Sequence, residues 1–309
     1  MKMTEPAGPE FIVWRDKWLL RTEKSLTLIL DRLEKDQPDE VQNLIGTMRY
    51  ALLGGGKRLR PLLALAGAEA VGGRIDEALP AACAVEMVHT YSLIHDDLPA
   101  MDDDDIRRGR PTCHKAFGEA AAILAGDALL TLAFETIAAG ADKQPEKAVR
   151  AVRAAGVLAR AAGAVGMVGG QALDLSFENC GHIQVAQVQD MELRKTGELI
   201  AGAIVAGATL AGGKPAQLNK LRAIALNTGL AFQIRDDLLN QSGDAGALGK
   251  AVGSDAARGK ASFPAVAGTK VAEETLRQLA NQARESAMVF RDNGRHLAAL
   301  IDLMVDRQK

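Results

Sequence analysis

Alanine and leucine dominate the apolar positions of this chain, and β-branched residues seldom alternate with polar ones. A pattern of that kind favours helix and argues against half-buried strands, so an all-α chain is expected. Helices are predicted over about 9 to 35, 39 to 53, 57 to 71, 75 to 98, 115 to 140, 145 to 173, 184 to 212, 215 to 241 and 272 to 291, with a short one at 294 to 307. Breakers separate them: Gly54-Gly55-Gly56, Gly72-Gly73, Pro145, Gly181, Gly212-Gly213 and Pro215. The longest apolar run, 199–213, is rich in Gly and Ala. It falls short of the ~20 residues that span a bilayer, so it reads as a buried core helix and no transmembrane segment is expected. The polar stretch 242–260 carries five glycines. It is too long for a routine connection and is expected to serve as a lid.

Composition narrows the picture further. A chain of 309 residues with 48% hydrophobic content can bury a large core, and no Pro- or Ser-rich linker divides it, so one domain over 1–309 is expected. A net charge of -2 gives no electrostatic case for binding nucleic acid. Cys83, Cys113 and Cys180 are odd in number, widely spaced and form no C-x-x-C pair. With no apolar leader at the N-terminus, they point to reduced thiols and a cytoplasmic protein.

The informative chemistry is acidic. Asp96, Asp97, Asp102, Asp103, Asp104 and Asp105 fall within ten residues, in the stretch H-D-D-L-P-A-M-D-D-D-D, and Arg107 and Arg108 follow. Like charges packed into a partly apolar stretch raise one another's pKa and oppose folding unless cations bind, so the cluster asks for divalent metal. The arginines ask for an anion beside it. Four consecutive aspartates are as often a solvated loop, but the apolar flank and the paired arginines favour a site. A second Asp-Asp pair, Asp236-Asp237, lies in F-Q-I-R-D-D-L-L-N at 232–240. Sites in helical bundles are built from facing helices, so the two pairs could line opposite walls of one cavity around metals bridged by a polyanion. Magnesium suits this best, because it is bound by a few carboxylates plus substrate phosphates.

These residues resemble the two aspartate-rich motifs of the trans-prenyl diphosphate synthases. The likeness extends to G-G-G-K-R-L-R-P at 54–61, His89, K-T-G at 195–197, L-G-K at 248–250 and G-K-A-S-F-P at 259–264, all in matching order. Within the family the chain is most similar to the bacterial farnesyl diphosphate (geranyltranstransferase) type. The resemblance implies the isoprenoid synthase fold, a single-domain helical bundle around a central cavity, and a homodimer. It implies head-to-tail condensation of isopentenyl diphosphate with dimethylallyl or geranyl diphosphate, giving (2E,6E)-farnesyl diphosphate with three magnesium ions per site. By motif matching, Asp96, Asp97, Asp102, Asp236 and Asp237 form the metal set, with Asp96 and Asp102 holding two ions and Asp236 a third. Arg107, Lys195 and Lys250 would hold the allylic diphosphate, and Lys57, Arg60, His89 and Arg108 that of isopentenyl diphosphate; Lys260 joins the substrate-binding set. Thr196 and Gln233 would face the developing carbocation as neutral oxygen dipoles.

Several points stay open at this level. In a straight helix Asp96 aligns with Asp103, not Asp102, but Pro99 must end or kink that helix. Position 240, commonly Asp in the second motif, is Asn here, which removes one charge from any metal contact. Gln171 and Asp174 face either the cavity or a helix neighbour, while His95, His114, His182 and His296 show no metal-ligand spacing. Tyr91, with Ser92 beside it, precedes Asp96 by five residues and so sits ~7.5 Å deeper along the helix, where its ring would stop chain growth. A twenty-carbon synthase is the alternative. A class I terpene cyclase has no need of Lys57, Arg60 and Arg108, and a non-catalytic prenyl diphosphate-binding subunit has only Asn240 in its favour.

Overall fold

The computed structural model describes residues 8–139, 144–178, 180, 182–241 and 261–306, and they are helical almost throughout. In chain order the helices are α1 (Pro9–Glu34), α2 (Asp39–Leu52), α3 (Leu59–Ala70), α4 (Leu79–Asp96), α5 (Cys113–Phe117), α6 (Glu119–Ala138) and α7 (Pro145–Ala162). There follow α8 (Met167–Phe177), α9 (Val185–Glu192), α10 (Glu198–Leu210), α11 (Pro215–Gln241), α12 (Phe263–Ala267), α13 (Thr269–Ala287) and α14 (Arg295–Val305). Among the described residues the only strands are β1 (Ile106–Arg107) and β2 (Arg110–Pro111), paired antiparallel. The expected all-α fold is the observed one.

Helix α10 is the axis of the bundle. Every residue from Leu199 to Leu210 is buried, as its unbroken apolar sequence requires, and α3, α4, α7 and α11 pack around it. Buried residues of the long helices join one hydrophobic cluster. Amphipathic helices close its outside: α13 buries only Ala272, Leu276, Ala280, Ala283 and Ala287, a single stripe at helical spacing.

Departures from the expected elements have local causes. The helix expected over 145 to 173 is two, because the chain turns between Gly163 and Gly166. The one expected from 115 is interrupted at Gly118, whose φ of 88° no helix accommodates. The one expected from 75 opens with a 3-10 turn (Ile75–Ala78), and α4 takes over where Pro80, lacking an N–H, is harmless in the first turn. Between α9 and α10 the chain runs as a π-helical turn, Leu193–Gly197. Two stretches, Glu119–Ala138 and Pro145–Phe177, are long and apolar enough to cross a membrane by length and composition. Asp127 and Glu135 interrupt the apolar sequence of the first. The second is broken by the turn at 163–166. The proposed lid, 242–260, with Lys250 and Lys260, lies outside the described residues.

Candidate active site

Helix α4 delivers the first acidic motif. It ends at Asp96, with Asp97 as C-cap and Pro99 shortly beyond, where a proline stops a helix. The chain then folds back so that the Asp102 N–H donates to the Asp96 carbonyl at 2.8 Å. This return places the two candidates differently. Asp102 is half-buried and its charge helps raise the Asp96 pKa, whereas Asp103 is exposed and takes positive φ. A ligand oxygen of Asp103 clusters instead with ligand atoms of Asp105 and His114. Lys115, 2.8 Å from Asp105, already supplies a cation there.

Asp97 departs from the expected metal set. It is buried, and the Arg107 Nε donates to both its carboxylate oxygens at 2.7 and 2.8 Å, with a terminal nitrogen 2.6 Å from Oδ1. Consecutive helix residues point ~100° apart, so the carboxylate next to Asp96 is free to hold Arg107 in place.

The strands β1 and β2 form a two-residue hairpin whose turn, Arg108-Gly109, has positive φ at both positions, the type I′ geometry. That turn carries Arg108 back to the glycine loop, where it donates to the Gly55 carbonyl and lies flat on Gly56. A Cβ at Gly56 would come within 2.9 Å of the guanidinium. Lys57 is exposed at the loop, and Arg60 follows on the first turn of α3. The Arg60 Nε is buried and makes no hydrogen bond, a donor aimed at something the protein itself does not supply. Burial lowers the Arg60 pKa to about 10, opposed by Glu86 and helped by Arg108. His89, on α4, is held well below its ordinary value by burial and then by Arg60, Arg108, Arg107 and Arg58, so it is neutral.

The opposite wall comes from α8 to α12. In the π turn, Lys195 reaches across to buried Asp174 on α8 at 2.5 Å, and Thr196 donates to Gln233 Oε1 on α11 at 2.9 Å. Single π turns recur at functional sites because the extra residue redirects side chains. Helix α11 crosses this turn very closely: a Cβ at Gly229 would lie 2.6 Å from the Gly197 Cα. One turn further along, Gln233 donates to Asp237 at 2.8 Å. Asp237 also accepts from the Phe263 N–H at 3.3 Å, and buried Glu192 accepts from the same N–H at 3.0 Å. Burial, then the Asp237 charge, pushes the Glu192 carboxyl above the ordinary carboxylate range. Asp236 and Asn240 lie four apart on continuous helix, sharing a face.

Two electrostatic interactions link the walls. Asp96 is raised to about 6 by burial, with Lys195 opposing and Asp102 adding to the shift; Asp236 acts on Arg60. Those interactions join α4 to the π turn and α11 to α3. Asp96, Asp102 and Asp236 offer carboxylate oxygens with cationic side chains near them, a donor chemistry that fits magnesium and a polyanion. Sequence reading passed over Glu192, although it stands one turn before Lys195, and over Arg58 and Glu86; it weighed Asp174 equally against a packing role. Buried charge is a tertiary property, and none of the four stands in a spacing that signals chemistry.

The chain matches the Polyprenyl synthetase family over residues 41–292. It is 44% identical over 264 residues to the heterodimeric geranylgeranyl pyrophosphate synthase large subunit 1 of Arabidopsis thaliana, covering 84% of this chain and 71% of that one. It is 42% identical over 281 residues to the geranylgeranyl diphosphate synthase of Cyanophora paradoxa, covering 91% and 93%. Among solved structures, an FPP/GFPP synthase from Zymomonas mobilis superposes with a TM-score of 0.82 at 35% identity, covering 95% of this chain and 99% of that one. The isoprenoid synthase fold and this similarity agree: the chain belongs to the polyprenyl synthetase family and is a prenyltransferase.

Proposed function

We propose that the protein condenses isopentenyl diphosphate with dimethylallyl or geranyl diphosphate and releases (2E,6E)-farnesyl diphosphate. The observation that carries the product length is Tyr91. Its ring is buried, packs edge-on against His95 at 5.7 Å between centroids, and lies close enough to Asp96 for that charge to add to the effect of burial in raising the phenol pKa. A bulky ring so near the reacting end leaves room for a short chain beneath the diphosphate. A twenty-carbon product is the second reading, favoured by the geranylgeranyl names of the sequence relatives.

Asp96 and Asp102 on one wall and Asp236 on the other would hold magnesium, three ions in all, with Asn240 contributing a neutral oxygen. Magnesium, when bound, supplies charge stabilisation for the departing diphosphate. Lys195 and Arg107, each already fixed by a buried carboxylate, orient the allylic diphosphate without having to be ordered on binding. Lys57, Arg60, neutral His89 and Arg108 hold the second diphosphate, and the unpartnered Arg60 Nε gains an acceptor there. Thr196, with its proton turned to Gln233, presents oxygen lone pairs to positive charge without offering a strong nucleophile. The proton lost at the end goes to the leaving diphosphate, so no side-chain base is needed. Lys250 and Lys260 complete the proposed substrate set from the segment beyond α11.

Incubating the purified protein with magnesium, geranyl diphosphate and isopentenyl diphosphate tests the reading. Farnesyl diphosphate supports it, a cyclic hydrocarbon would mean a terpene cyclase, and no turnover would leave a binding subunit. Tyr91→Ala is expected to shift the product to twenty carbons or more; an unchanged length would remove the plug. We also propose a homodimer, because Ile123 and Leu124 on α6, beside Phe117, leave apolar side chains uncovered. Cytoplasmic residence is part of the same proposal and rests on three free cysteines.

A further inference from the structure

Arg58 is a buried charge that the proposed chemistry does not use. It stands between Lys57 and Arg60, yet its side chain turns inward and is 1% exposed. Three structural elements converge on its guanidinium. The Nε donates to Glu23 of α1 at 2.8 Å, one terminal nitrogen to Glu86 of α4 at 2.6 Å, and the other to the Leu52 carbonyl at the end of α2 at 2.7 Å. Glu86 is itself buried, so the pair is closed off from water on both sides. Its backbone is equally constrained: φ 48° and ψ 36° place Arg58 in the left-handed region, which costs free energy for any residue with a Cβ. Such a conformation persists only where surrounding contacts over-determine it.

The left-handed residue is what turns the chain from the glycine loop into α3. It caps the helix, reverses the direction of the backbone, and sends Lys57 outward while Arg60 enters on the first turn. The three glycines before it impose no direction of their own, so the loop takes its course from Arg58 and from the Arg108 contact to Gly55. Glu86 serves twice, since its charge also acts on Arg60. A planar guanidinium with donors along fixed directions suits a three-way clamp, and a lysine ammonium cannot span it.

We propose that Arg58, through Glu86, Glu23 and the Leu52 carbonyl, is a positioning residue that sets Lys57 and Arg60 for the homoallylic diphosphate and leaves the allylic half of the site untouched. This rests on the isopentenyl diphosphate reading above. The two are tested separately: wild-type turnover tests that reading, and the ratio of binding constants between variant and wild type tests the positioning role.

Arg58→Gly accepts the left-handed backbone without strain but deletes the clamp. It is expected to weaken calorimetric binding of isopentenyl diphosphate, and to raise its KM, at least tenfold, while the KM for geranyl diphosphate changes less than threefold. Arg58→Lys keeps the charge and recovers only part of the loss. Should Arg58→Gly not fold, because Glu86 is left buried without its partner, Glu23→Gln loosens the clamp from its solvent side and is expected to give a several-fold rise in the isopentenyl diphosphate KM at a wild-type melting temperature. A kcat that falls in step with melting temperature, with both KM values unchanged or raised equally, would reduce Arg58 to a packing role and overturn the proposal. Unchanged binding in a folded variant would overturn it as well. A wild-type protein that does not bind isopentenyl diphosphate would remove both readings.

Discussion

Asp96 shows how a single residue can be tuned for a ligand at the expense of the free protein. Its folded pKa of about 6 stands above the ordinary 3.8, so ionising it costs stability. The sign follows: the associated stability is fully present below pH ~4 and is lost as pH rises through about 6. At pH 8 the free protein carries a penalty of up to about 3 kcal/mol from this group. Asp96→Asn should therefore raise the melting temperature of metal-free protein at pH 8, with the gain vanishing near pH 4, while turnover falls at least a hundredfold. The same titration predicts that more magnesium is needed for half-maximal turnover as pH drops below about 6, measurable by metal titration at pH 5.5 and 8. Asn240 offers the opposite adjustment. Asn240→Asp restores a negative charge four residues from Asp236 on the same helix face and should lower the magnesium concentration for half-maximal activity several-fold.

At the scale of elements, the site depends on how closely helices can approach. The Thr196 to Gln233 hydrogen bond exists because α11 presses against the π turn at Gly229 and Gly197, with no side chain between them. Gly229→Ala would place a Cβ 2.6 Å from the Gly197 Cα, against backbone that cannot swing aside. Overpacking of this kind costs about 1 to 3 kcal/mol, and the displaced α11 would lose the bond one turn along. We expect kcat to fall more than tenfold with a melting temperature lowered by several degrees; a variant with normal kcat would show that the bond is dispensable. Sequence patterns located these helices well, since α1, α2 and α11 end within a residue or so of the expected limits. They did not locate the π turn, because it arises where one added residue in a helical run is accommodated by packing against α8 and α11 rather than by any local propensity.

For the whole molecule, α6 carries the open question of assembly. It packs on α4 along one side and leaves Ile123 at 43% and Leu124 at 56% exposure on the other. A helix apolar enough to be buried all round suits a second cover, which in the proposed homodimer is the same surface of another copy related by symmetry. Leu124→Glu should convert a dimer to a monomer by light scattering, and an unaltered mass would rule out this face. What the sequence determined by itself was composition and spacing: the helical class, the buried α10, two aspartate pairs with arginines near the first, and glycines before a basic run. Those are local patterns and survive without coordinates. Tertiary structure alone decided that Asp102 and not Asp103 returns to Asp96, that Asp97 serves Arg107, that Glu192 is buried beside Asp237, and that Arg58 turns inward while its neighbours do not. The physical reason is common to all four: direction and desolvation depend on which distant helices close over a side chain, and no residue carries that information within its own stretch of chain.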